Sequence, residues 1–135
     1  MTLREFLMLP HRFEWGGLAG DDCTMFCAAW VYELTGIDPA EDLRGTYNDA
    51  RGAHRVLARA GGIVAFAQGR LAPLGFVRTD EPRDGDLGVV AAPIGMDEET
   101  ALVSAIRFGP LWAVMSPGGV VARKLDHVAA WRLNA

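Results

Sequence analysis

The feature that most constrains the fold of this chain is a change of sequence pattern near residues 84–86 (Asp-Gly-Asp). Before it, apolar residues recur at helical spacing between capping residues and glycines. After it come short β-rich runs, separated by turn sequences at residues 109–110 and 116–119. Helices followed by a series of strands are typical of the α+β class. We therefore predict amino-terminal helices packed on a carboxy-terminal antiparallel β-sheet.

The central helix is predicted to run from Cys23 to Gly36. A glycine-rich loop, residues 15–20, leads into it, and Asp21 and Asp22 supply N-cap chemistry. Its apolar stripe repeats at i, i+4, i+7 and i+11, with two flanking residues. The stripe consists of Cys23, Cys27, Trp30 and Leu34, and the flanking residues are Phe26 and Val31. This pattern indicates a helix that faces the core.

Three further helices and five strands complete the prediction. Thr2 and Glu5 form a capping box, so residues 1–10 are expected to be an amino-terminal helical arm that ends before Pro10. The other helices are predicted at about 48–60 and 63–71. The strands are predicted at residues 87–91, 102–108, 111–115, 120–123 and 128–133.

Length and charge exclude several classes of protein. With 135 residues, half of them hydrophobic, the chain is predicted to form a single domain over residues 1–135. Seventeen acidic residues against thirteen basic ones give a net charge of −4, which disfavours nucleic acid as a partner. No apolar stretch reaches the roughly 18 residues that a membrane-spanning helix needs, so we expect no membrane insertion.

The two cysteines, Cys23 and Cys27, lie four residues apart in one predicted helix. A disulfide would be strained there, and two thiols alone cannot complete a zinc site. Both are therefore predicted to be reduced, and no metal or cofactor is expected. The first residues lack a secretory cleavage site, which predicts synthesis and initial retention in the cytoplasm.

Cys23 is the strongest chemical feature of the sequence. Free amides and the helix dipole at the first turn of a helix stabilise a thiolate, so thiol nucleophiles are often placed there. Two interpretations stay open from the residues alone. Cys23 is either a nucleophile or a small apolar core residue, as Cys27 one turn later is expected to be.

Around this cysteine the sequence resembles a known family. Residues 22–26 (D-C-T-M-F) are similar to the D-C-[ST]-x-[FL] signature of the NlpC-type cell-wall peptidases, and residues 84–87 (D-G-D-L) to their G-D-L strand. Nearly the whole chain resembles a family of small phage-encoded domains, met among tail genes and distantly related to these peptidases. The matching residues are Phe13, Trp15, Gly16, Asp22, Cys23, Phe26, Gly36, Asp38, Leu43, Arg44, Gly45, Tyr47, Gly61, Gly62, Gly85, Asp86, Ala130, Trp131 and Arg132.

The resemblance implies a papain-like fold of the NlpC type and a place in the virion tail after synthesis in the cytoplasm of a bacterial host. It also implies a catalytic triad. In these peptidases a cysteine attacks a peptide carbonyl, a histidine opening the next strand accepts the thiol proton, and a third polar residue orients that ring. Here the histidine segment matches residues 101–106, which contain no histidine, and the third position falls at the apolar residues 112–114.

A histidine from elsewhere in the chain is the remaining source of a base. His127 opens the last predicted strand, and Asp126 before it is a candidate orienting residue. The alternative is a surface or edge-strand histidine. His54 is predicted on a solvated helix face, and the reach of His11 from its loop near Cys23 stays open.

Two other features have structural explanations beside functional ones. Arg44 and Tyr47 either line a pocket, or Arg44 forms a salt bridge with a local aspartate such as Asp42 or Asp49. Trp131 is either an interface anchor or part of a terminal strand that covers the core.

Two functions follow. The first is a non-catalytic structural domain that binds other phage tail-tip proteins, with the amino-terminal arm and the Trp131 region as contact surfaces. The second is a cysteine peptidase or amidase that cleaves peptidoglycan stem peptides during genome entry, with Cys23 as nucleophile and His127 or a partner's side chain as base. A third, a small-molecule thiol enzyme, has no feature of its own. The missing histidine favours the first, because a nucleophile without a base lacks general-base assistance.

Overall fold

The computed structural model describes residues 1–93 and 100–134, and within them helices come first and strands follow. The helices are α1 (Leu3–Leu7), α2 (Cys23–Thr35), α3 (Ala50–Arg59) and α4 (Ile63–Leu71), with 3-10 turns at Glu41–Leu43 and Ala72–Leu74. The strands are β1 (Phe76–Arg78), β2 (Leu87–Pro93), β3 (Thr100–Phe108), β4 (Leu111–Ser116), β5 (Gly119–Arg123) and β6 (Asp126–Leu133). None of the helices in this described part is long and apolar enough to cross a membrane.

The helices begin and end where the sequence signals indicate. Thr2 and Glu5 form the predicted capping box of α1, and the Asp22 side chain caps α2. Gly36 ends α2 with a φ of 77°, a conformation that glycine adopts without strain. The bounds of α4 agree with the prediction. Helix α3 starts later than predicted because Asp49 is its N-cap.

The buried part of α2 ends about one turn before the end of the predicted apolar stripe. Phe26 and Trp30 are buried as expected, and the buried positions end at Val31. Leu34 is 38% exposed, so its prediction as a core residue was wrong. The last turn of α2 lies beyond the part of the helix that packs on the sheet.

The strands form one antiparallel sheet in the order β1-β6-β2-β3-β4-β5. The predicted α+β class with an antiparallel sheet is confirmed. The prediction that the sheet is built only from residues after Asp84 was wrong, because β1 precedes it. This strand has only three residues and, among the described strands, pairs only with β6. A run this short is too brief to show an alternating strand pattern in the sequence.

The sheet must curl strongly. Lys124 and Leu125 are the only residues between β5 and β6, so the chain from Arg123 to Asp126 reaches about 11 Å at most. In a flat sheet these two strands would be four spacings apart, or about 19 Å. The sheet therefore bends β5 back towards β6, which gives it an inner and an outer face.

Each face buries its own core. The outer core packs α1, α2 and α4 against the sheet and includes Phe26, Trp30, Met115 and Trp131. The inner core is built from strand residues: Val90, Ala105, Trp112, Val114 and Ala130. A Cβ added at Gly88 would lie 2.5 Å from two ring carbons of Trp112, so a glycine is required for the indole to lie across β2.

The amino-terminal arm and Trp131 both contribute to the outer core. Phe6 is buried, with Leu3 and Leu7 packed beside it, whereas Met8 and Leu9 are exposed. Trp131 is fully buried, and its indole N–H donates to Gln68 Oε1 at 2.7 Å. These positions agree with a terminal strand that covers the core.

Candidate functional site

Cys23 is the first residue of α2, as predicted, and is partly exposed. Asp22 holds the start of the helix by accepting a hydrogen bond from the amide of Met25 at 2.9 Å. The Cys23 thiol itself donates to the backbone carbonyl of Met115, in β4, at a sulfur–oxygen distance of 3.0 Å. The side chain is therefore anchored to the sheet rather than free at the helix end.

The surroundings of this thiol disfavour its ionisation. Burial, and secondarily the negative charge of Asp22, raise the pKa of Cys23 from 9.0 to about 11. About one thiol in ten thousand would then be ionised at pH 7. Hydrogen bonds with the backbone of Cys23 itself and of Met115 act in the opposite direction, but desolvation outweighs them. Cys27 is buried, and burial raises its pKa as well.

Asp22 has more partners than a cap requires. It is 2% exposed, and besides Met25 it accepts hydrogen bonds from the Gly16 amide at 3.1 Å and the Tyr47 hydroxyl at 2.6 Å. Burial and the adjacent carboxylate of Asp22 raise the pKa of Tyr47. The sequence predicted the cap but not these two partners, because Tyr47 lies 25 residues away and the Gly16 amide is brought to Asp22 by the fold of the glycine-rich loop.

The glycine-rich loop lies close against these segments. Gly16 has a φ of 87°, and a Cβ there would lie 2.0 Å from the carbonyl oxygen of Tyr47. The Gly45 amide donates back to the Gly16 carbonyl at 2.9 Å. The loop also approaches α2 closely, since a Cβ at Gly17 would lie 2.5 Å from the Met25 side chain.

Arg44 also joins the 38–47 segment to the glycine-rich loop, through partners that the sequence did not predict. Its Nε donates to Asp38 at 2.6 Å, Nη1 donates to the carbonyl of Gly17 at 3.0 Å, and Nη1 lies 3.5 Å from Asp21. The predicted salt bridge to a local aspartate is present, but the partner is Asp38 rather than Asp42 or Asp49. Asp42 pairs with Arg70, and Asp49 caps α3. Proximity in sequence misled here because the 38–47 segment folds back on the glycine-rich loop.

His127 and Asp126 lie at the start of β6, away from Cys23. His127 pairs with Val90, and its ring centre is 5.7 Å from that of Trp112, on the inner face of the sheet. Cys23 is on α2, which packs on the outer face. Asp126 is exposed, opposite Ala91. The structure does not bring this candidate base and orienting residue to the candidate nucleophile.

The other two histidines have contacts of their own. The His11 Nε2 is 2.6 Å from the Phe6 carbonyl, and its ring packs between Phe6 and Phe26. His54 is exposed on α3. The chain has three histidines, and Cys23 hydrogen-bonds to none of them.

A small cleft adjoins the site between α2, α4 and the sheet. Its volume is about 50 Å³, and its lining is mostly apolar, with Cys27, Phe66 and Trp131 among the residues. This cleft is small and offers few polar groups that could orient a substrate. The residue after the cysteine, Thr24, reaches its edge.

Comparison with known proteins places the chain in one family. A sequence model of the family described as "Domain of unknown function (DUF6950)" matches residues 3–133, nearly the whole chain. No curated protein and no solved structure matches. The description carries no activity, so inference about function depends on the geometry and on the sequence resemblance.

Proposed function

The chain belongs to the DUF6950 family, and we propose that it is a structural component of a phage tail tip, built on a degenerate papain-like fold of the NlpC type and without catalytic activity. The location in the phage tail is inferred from the sequence resemblance. The observation that carries the loss of activity is the state of Cys23, whose thiol donates to a backbone carbonyl and hydrogen-bonds to no histidine.

Two aspects of the fold support the papain-like part of the proposal. A cysteine begins a helix that packs on an antiparallel sheet, and the strands follow the helix in the chain. Residues 101–106, matched to the histidine strand of the peptidases, lie in β3, which neighbours β4 and its Met115. In this proposal the scaffold is retained while the proton-accepting side chain is lost.

The lack of catalysis can be tested on purified peptidoglycan. The chain and its Cys23→Ala variant are incubated with sacculi, beside an active NlpC-type peptidase, and newly released amino groups are measured. We expect release only from the active peptidase. Release that depends on Cys23 would overturn the non-catalytic assignment.

The tail location is tested on phage particles from a host that expresses the tagged chain during infection. We expect the chain in purified tails, and its absence would refute this part of the proposal. Because Phe6 is buried, deletion of the arm would damage the core, so contacts are tested at exposed positions instead. Met8→Ser with Leu9→Ser should reduce incorporation if the arm contacts a partner.

The second candidate function, a cysteine peptidase or amidase, is favoured by one observation. Cys23 is at the helix start and partly exposed, where a partner's side chain could reach it. This candidate requires that a tail protein supply the base. It predicts Cys23-dependent release of amino groups in assembled tails but not with the isolated chain.

A further inference from the structure

An open depression lies at the carboxy-terminal end of α2, about 20 Å from Cys23 by the length of the helix. Its volume is about 450 Å³, and the residues that line it are Tyr32, Gly36, Ile37, Asp38 and Glu41. Tyr32 and Ile37 are 53% and 54% exposed, so two large apolar groups line this surface. The depression is separate from the cysteine site.

The electrostatic character of the depression is negative. The last turn of α2 contains no basic residue to offset the negative end of the helix dipole. The carbonyls of Glu33, Leu34 and Thr35 accept no hydrogen bond from the described residues. These carbonyls leave the negative end of the helix uncompensated, and Gly36, the C-cap at that end, lines the depression.

The two carboxylates at the rim differ in their availability. Asp38 already accepts from Arg44 at 2.6 Å and from the Ala40 amide at 2.9 Å. Glu41 is exposed and forms no ion pair within the described part of the chain. The unneutralised charge beside the exposed apolar groups is therefore that of Glu41 together with the helix end.

We propose that this depression binds an arginine side chain of a partner protein. The guanidinium donates to Glu41 near the negative end of α2, while its aliphatic stem and planar face lie against Ile37 and Tyr32. Arginine suits this site better than lysine, because it offers five donors in a fixed plane that also stacks on an aromatic ring. The inference rests on the proposed binding role and specifies the chemistry of the partner.

The test is an NMR titration of the full chain with N-acetyl-arginine amide, with N-acetyl-citrulline amide as a neutral control of nearly the same shape. Arginine should shift the backbone amides of Gly36, Ile37 and Glu41. Glu41→Gln should weaken its binding about two- to fivefold. Glu33→Gln, which changes an exposed carboxylate on α2 that does not line the depression, should leave the affinity unchanged.

Equal shifts with citrulline, shifts confined to other parts of the chain, or unchanged affinity in Glu41→Gln would each overturn the proposal. An otherwise unchanged spectrum shows that each variant is folded. The titration does not involve Cys23, whereas the peptidoglycan assay does. Failure of arginine binding and failure of the non-catalytic assignment are therefore distinguishable.

Discussion

The pKa of Cys23 gives the most direct test of the site. Its rise from 9.0 to about 11 means that native Cys23 has about a hundredfold less thiolate at neutral pH than a free cysteine. The rate of alkylation by iodoacetamide, followed by mass spectrometry between pH 7 and 12, should therefore rise with a midpoint near 11. Cys27 is buried and should react only after unfolding, which separates the two thiols.

Removal of the charge on Asp22 should lower this midpoint. Asp22→Asn keeps a side-chain acceptor for the cap, and the midpoint should stay above 9.0 because burial is the larger cause. Asp21→Asn is the matched control, since Asp21 does not contribute to the raised pKa of Cys23. A native midpoint near or below 9.0 would refute the account of a protonated, inactive thiol.

The remaining predictions concern stability. Gly88→Ala should lower the free energy of unfolding by about 1–3 kcal/mol in urea titrations, because the buried Trp112 cannot yield to a Cβ at 2.5 Å. Gly69→Ala, in α4 with open space around it, should instead stabilise by up to about 1 kcal/mol, and the reverse order would contradict the packing. Arg132→Ala should cost on the order of 2 kcal/mol, since it leaves the carboxylate of Asp86, 5% exposed, without its charged partner. Asp86→Asn should cost less, because Arg132 is partly exposed.

A pH dependence of stability also follows from the raised thiol pKa. Below pH 9 both folded and unfolded chains hold the Cys23 proton, so its contribution is fully present. Between pH 9 and about 11 only the unfolded chain loses that proton, so stability falls as the pH rises. The urea midpoint should fall less steeply in Cys23→Ala over this range.

Sequence patterns correctly predicted the elements whose ends are set by neighbouring residues. The capping residues and stop signals located α1, α2 and α4 because caps act within one turn of a helix. The strands after Asp84 were predicted from their β-rich runs and the turn sequences between them, and their ends differ from the prediction by at most two residues. Leu34 was misassigned because helical periodicity does not show where the sheet beneath a helix ends.

The candidate site depended on contacts that no local pattern encodes. The bond between Tyr47 and Asp22 joins residues 25 positions apart, and Arg44 selects Asp38 over the nearer Asp42. The position of His127 on the inner face depends on the pairing of β6 with β2, which is irregular between Val89 and Val90. The choice of face was therefore set by tertiary structure.

The order of the sheet has a consequence for synthesis of the chain. Strand β6 is the last of the described strands in the chain, yet in the sheet it lies between β1 and β2. Until it emerges from the ribosome, β1 has no described partner strand and one edge of β2 is open, so the sheet cannot be completed while translation proceeds. A nascent chain that lacks β6 would expose to its neighbours and to chaperones the edges of β1 and β2 that β6 covers in the folded protein.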